Sequence, residues 1–187
     1  MKAVIFVLLI LLLVLLTVFA VQYIKQPTTD SESSPINAEP TVVEHAYATW
    51  DTMEVDKCVA AWLIVRFIDK DAKFVLYPQG TEIKEGIVFD NPGAAWSRKH
   101  RMCTSDCILQ SIDVNDVIVE KIVEIAHHTE LNYWQLDQFP LARKCFNEIQ
   151  QIFEEITNRL ECLEKAIEYF DVLYEQLRQQ SGSNQKH

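Results

Sequence analysis

The strongest constraint on this chain sits at its N-terminus. After Met1 and Lys2, the stretch from Ala3 to Val21 carries no charge and is almost wholly apolar. About 20 apolar residues in a helix span the hydrocarbon core of a bilayer, whereas the apolar part of a cleaved signal peptide usually runs to about 7–15. The length favours an uncleaved transmembrane signal anchor over residues 1–25. A long signal peptide is the alternative, with Val18-Phe19-Ala20 as its cleavage motif. Lys2 and Lys25 balance each other across the segment, so charge gives little orientation. The usual habit of a signal anchor places the rest of the chain on the extracytoplasmic side, periplasmic in a bacterium. The expected membrane contact is residues 3–21. A single span cannot form a pore, so transport by this chain alone is not expected.

Residues 26–44 follow as a spacer. Its run QPTTDSESSPINAEPT is rich in Pro, Ser, Thr and acid and has almost nothing to bury, which predicts a disordered tether. The globular part is expected over residues 45–180, one ordinary domain with room for a real core. Residues 181–187 should form a disordered tail. The formal net charge of −10 disfavours nucleic acid as a partner, because such binding replaces counterions with Lys and Arg. It also gives no long-range attraction for oxyanions, so any anion site has to be local.

Within the domain, residues 45–50 (HAYATW) are β-prone. Residues 55–68 are apolar at helical spacing, with Asp51 or Thr52 placed to cap the start. KFVLY (73–77) alternates, and GIVF (86–89) is a second short strand before the turn cluster Asp90-Asn91-Pro92-Gly93. Strand, helix, strand in that order predicts a βαβ unit. Four helices follow: 104–111 capped by Thr104, 114–128, 140–156 opened by Pro140, and 157–179, with Asn158 at the break. The expected class is α/β and helix-rich. A small βαβ-type sheet is followed by several helices ending in an antiparallel helical hairpin. Trp50 and Trp62 are expected in the core.

There are five cysteines, an odd number, and no CxxC pair. Cys58, Cys145 and Cys162 fall in apolar helical patterns and read as small buried hydrophobes. Cys103 has different neighbours. In WSRKHRMCTSD, His100, Cys103 and Asp106 are spaced by three, which can put an imidazole, a thiol and a carboxylate on one side. Those donors suit zinc or another borderline transition metal. Cys107 is placed to replace one of them. His127 and Glu130 share a second helical face and are candidates for the same site. The bland alternative is a polar loop beside a surface helix. The run Ser97 to Arg101 is a local positive patch, so Arg98 is a candidate anion contact. Arg66 lies in an apolar stretch and needs a partner, and it is the other candidate anion contact. For Asp56 and Lys57, an ion pair or a cap is sufficient explanation. Phosphate loops, GxSxG and HExxH are missing from the sequence.

Several segments resemble a known family, the ChrB C-terminal-type domain associated with chromate resistance. Val55-Asp56-Lys57 leading into WLIVRFID (62–69) is similar to the family's VDR and WLIRRFID. Phe89-Asp90, then Ser97, His100 and Cys103-Thr104, is similar to its second block. Ile125-Ala126-His127 to Leu131 resembles its third, and Tyr169 to Tyr174 its terminal helix. The departures are Met53 in place of an arginine, Val65-Arg66 in place of an arginine pair, and a split Ser97/His100 pair. No counterpart of the DNA-binding-like N-terminal region of some members is seen, so a regulator of transcription is not expected. The resemblance implies association with chromate resistance, and one site formed by Asp56, Arg66, His100, Cys103, Asp106, His127 and Glu130. Three functions follow as expectations. The first is a membrane-tethered accessory or sensor domain binding a metal ion or an oxyanion. The second is a thiol-based redox enzyme using Cys103. The third is a non-catalytic interaction module for a membrane-protein partner.

Overall fold

The structure is a computed structural model and describes residues 44–184. The expected anchor and nearly all of the expected tether lie outside the described residues. Among the described residues, no helix is long and apolar enough to cross a membrane.

Three parallel strands form the sheet: β1 (Ala46–Trp50), β2 (Lys73–Tyr77) and β3 (Ile87–Val88), in the order β2-β1-β3. Helix α1 (Val55–Leu63) connects β1 to β2, so the βαβ expectation holds. Strand β1 is central and nearly closed to solvent, from Ala46 at 3% exposed to Ala48 and Thr49 at 0%. Its two alanines allow close approach. Gly86 shows how close: it has φ +94°, and a Cβ there would meet the Ala46 carbonyl oxygen at 3.1 Å and the Ala48 Cβ at 3.2 Å. Only glycine satisfies both demands.

The expected helix over 55–68 is divided. After Leu63 the chain widens into a π-helical turn over Ile64–Ile68, closed by the Asp69 N–H donating to the Ile64 carbonyl at 2.8 Å. The expected caps do other work. Helix α1 starts from Glu54, while the Asp51 carboxylate accepts from the Gln79 N–H at 3.0 Å and Thr52 is held by Lys57.

The other helices are α2 (Thr104–Ser111), α3 (Val117–Leu131), α4 (Pro140–Glu155) and α5 (Arg159–Asn184), with a 3-10 turn over Tyr133–Gln138 before α4. Pro140 opens α4 as expected. The Asn158 side-chain oxygen accepts the Leu160 and Glu161 N–H groups at 3.0 and 3.2 Å and starts α5. Between α4 and α5, Glu148 accepts from the Tyr169 hydroxyl at 2.7 Å, and Cys162 lies against the Ile152 carbonyl. The C-terminal end departs from expectation: helix α5 continues to Asn184. The Ser181 and Ser183 hydroxyls donate back to the carbonyls of Leu177, Gln179 and Gln180, keeping donors on the helix surface.

The core lies among β1, α1, α3 and α5. Trp62 is its largest fully buried side chain, edge-on to Phe67 at 5.8 Å. Trp50 differs from expectation. It is only half-buried, because its indole N–H is drawn out to donate to the Thr81 carbonyl at 2.9 Å. All five cysteines are free and buried. Trp62 and Arg66, four residues apart on one face, both donate to Asp171 Oδ1, at 2.9 and 2.6 Å. Arg66 also meets Glu175 at 3.2 Å and lies over the Tyr174 ring at 4.0 Å.

These contacts are unequal in worth. Asp171→Ala should cost about 1–3 kcal/mol in urea denaturation, because it orphans the buried Trp62 N–H. Glu175→Ala should cost less than about 1 kcal/mol, since it removes an exposed ion pair.

Candidate metal centre

The site begins with the way α2 is held. A helix N-terminus carries unpaired N–H groups, and here a buried carboxylate from another element takes them. Asp56, on the first turn of α1, is 0% exposed. Its oxygens accept the Thr104 N–H at 2.7 Å, the Ser105 N–H at 3.0 Å and the Ser105 hydroxyl at 2.6 Å. Burial pushes the Asp56 carboxyl upward, and the bonds from Ser105 and Thr104 pull against it. Asp56 is thus a cap, but for a helix almost fifty residues away. Thr104 does not cap the helix as expected. Its hydroxyl donates to Asp90 Oδ1 at 2.6 Å, and Cys103 takes the cap position.

Fixing α2 in this way places Cys103 and Asp106. The Cys103 N–H donates to Asp106 Oδ2 at 2.8 Å, and His127 Nδ1, from the last turns of α3, meets the same oxygen at 2.9 Å. One donor atom from each of Cys103, Asp106 and His127 lies within 4.8 Å of the other two. Cys103 is fully buried, while Asp106 and His127 are half-buried, so the cluster opens to solvent on the imidazole side. Burial, and next the Asp56 charge, push the Cys103 thiol well above its ordinary value.

The other expected members separate. His100 is exposed and stays out of the cluster. It sits at the corner of a turn closed by paired hydrogen bonds between Lys99 and Met102, with Arg101 at φ +64°. The helix starts only after Cys103, so the spacing of three does not stack His100 on its face. Cys107 is buried and donates to the Ser97 carbonyl at 3.3 Å. Glu130 shares the α3 face of His127, but its carboxylate stands outside the trio and is bound to Arg98 at 3.1 Å. Burial, then Glu54, raises its carboxyl to about 7 against the pull of Arg98.

Neither candidate anion contact is free. Arg98 pairs with Glu54 at 2.8 Å and with Glu130, and Asp56 lies at 4.0 Å. Arg66 is held by Asp171 and Glu175 on another face. An oxyanion would have to displace carboxylates from either one. Within the positive run, Arg98 is neutralised by acids that only folding brings near.

Two contributors escaped the sequence reading. Glu54 precedes Asp56 by two residues, and this acidic pair at a helix start was the available signal. Asp90 sits between the Thr104 hydroxyl and the buried Lys57, 3.5 Å away, and burial raises it to about 6. Arg98 and Glu54 also line a polar cleft of about 290 Å3, together with Trp50, Asp90 and Asn91 among others.

The fold and this site define a small helix-rich α/β domain that gathers a thiol, a carboxylate and an imidazole at the start of one helix and the end of another. The family model for the ChrB C-terminal domain matches residues 47–177, and the chain belongs to that family. The family associates the chain with chromate resistance. No curated protein and no solved structure matches the chain.

Asp56→Asn keeps the volume but turns an amide toward two N–H donors. It should lower stability by about 3 kcal/mol, read as a shifted urea midpoint at unchanged slope. The pH dependence has a definite sign. Glu130 and Asp90 bind protons more tightly in the folded state than at their ordinary values of 4.5 and 3.8. The folded state therefore carries more protons, and stability falls as pH rises through about 4 to 7. Melting of the metal-free domain should be higher at about pH 5 than at about pH 8, and Glu130→Gln should flatten the upper part of that slope.

Proposed function

We propose that this domain binds a metal cation at Cys103, Asp106 and His127. It would act as a membrane-attached accessory or sensor domain in chromate resistance. The observation that carries the proposal is the convergence of three chemically different donors, within 4.8 Å, from two separate helices. Sulfur, oxygen and nitrogen together suit zinc or a similar borderline ion. Three protein donors leave one position for water or another group. One Asp106 oxygen accepts the Cys103 backbone N–H and meets His127 Nδ1, so it ties the two residues together and orients the imidazole.

The electrostatics support a cation over an oxyanion. Cys103 faces the charges of Asp56, Asp106 and Glu130, with Arg98 as the opposing cation. A bound dication would offset those charges and stabilise the thiolate. An oxyanion would add to them. The same surroundings disfavour a redox enzyme built on Cys103. A reactive thiol needs thiolate at neutral pH, and this one is buried and pushed upward. The apolar run of residues 3–21 supports attachment to a membrane, with the domain on the extracytoplasmic side.

The test is elemental mass spectrometry on the unit from Thr41 onward, beside its Cys103→Ser and His127→Ala variants. Near-stoichiometric metal in the wild type, lost in both variants, is the expected result. Added zinc at 100 times its Kd should raise wild-type stability by about 2.7 kcal/mol. If the wild type carries no metal and takes up neither zinc, copper, iron nor nickel, the metal site is wrong.

A further inference from the structure

Arg98 has an unusual position for the one guanidinium beside a candidate cation site. A single terminal nitrogen reaches Glu54 Oε2 at 2.8 Å, Glu130 Oε2 at 3.1 Å and Asp56 Oδ2 at 4.0 Å. These carboxylates come from the start of α1 and the end of α3. The other nearby cation, Lys57, is committed elsewhere, to Asp90 and to the Trp50 and Thr52 carbonyls. Arg98 is therefore the internal counter-ion of an acidic pocket.

Glu130 follows His127 by three residues on α3, so the two side chains share a face of that helix. Its side chain is 16% exposed, and Arg98 is its hydrogen-bond partner among the described residues. Arg98, by contrast, belongs to a stretch without regular structure, is 41% exposed and lines the open cleft of about 290 Å3. Glu130 is held on the helix that carries His127, one turn away. Arg98 is held only by charge and has somewhere to go.

Resting on the metal site proposed above, we infer that Arg98 is a displaceable counter-ion: a metal at Cys103, Asp106 and His127 breaks the Arg98–Glu130 pair, and Glu130 becomes the fourth donor. A dication and a guanidinium cannot both sit against the same carboxylates without repulsion, and near a protein surface that repulsion is large enough to matter. Loading exchanges one cation for another. The guanidinium gives up Glu130 and swings toward the cleft, which Glu54 also lines, so Glu54 remains within its reach.

Calorimetric titration of zinc into the full chain tests the exchange, using wild type, Arg98→Met, Glu130→Gln and the double variant. Arg98→Met should bind zinc about tenfold tighter or more, because a competing charge is gone. Glu130→Gln should bind at least about tenfold more weakly, and the double variant no tighter than Glu130→Gln. Unchanged or weaker binding by a folded Arg98→Met overturns the exchange, while Glu130→Gln binding like wild type overturns the fourth donor. If Arg98→Met does not fold, arginine side-chain NMR of the wild type decides. The Arg98 guanidinium signals should change from restricted to free rotation on zinc addition, and no change overturns the proposal. Wild type that binds zinc with these expectations unmet defeats only the exchange. Wild type that binds no zinc defeats the metal site and the exchange together.

Discussion

The carboxylate of Asp56 is the interaction on which the site depends. It is buried without a full counter-charge, and it survives there because three donors from the first turn of α2 satisfy it. An acid deprived of water is costly unless it is bonded in this way. A helix N-terminus with positive partial charge is a fitting partner. The clasp joins α1 to α2 at a single point and thereby sets the position of Cys103 and Asp106. The strands contribute by presenting α1, since β1 leads into it and is buried on both faces.

Much of the fold was legible because it is local. KFVLY alternates and is a strand. Pro140 opens a helix because its missing N–H costs nothing at that position. The apolar stripe of the last helix is wide and continuous. What escaped was local in appearance but decided elsewhere. Asp51 and Thr52 look like caps for α1, yet Gln79 and Lys57 claim them. The C-terminal serines look like a frayed tail, yet their hydroxyls fold back on the helix.

The site shows the same division more sharply. Cys103, Asp106 and His127 were readable as a thiol, an acid and an imidazole at suggestive spacings. His100 was readable too, and was misleading. Spacing by three means one face only inside a helix, and His100 stands before the helix in a tight turn. Arg98 was misleading for the opposite reason. Its sequence neighbours are basic, but its spatial neighbours Glu54, Asp56 and Glu130 are acidic. Charge read along a chain reports the company a residue keeps before folding. Here folding reverses it, and an expected anion contact ends among carboxylates.

The placement of the donors along the chain has one further consequence. Cys103, Asp106, His127 and the Asp56 clasp all fall between β1 and the end of α3. Helices α4 and α5 carry none of them and supply cover for the core. Chemistry and shelter are thus written in consecutive halves of the domain, joined through the turn Tyr133–Gln138. That turn holds Trp134 outward, 76% exposed, while it buries Leu136 in the core. The two halves are not independent, because Asp171, Phe170 and Tyr174 of the second close over Trp62 of the first.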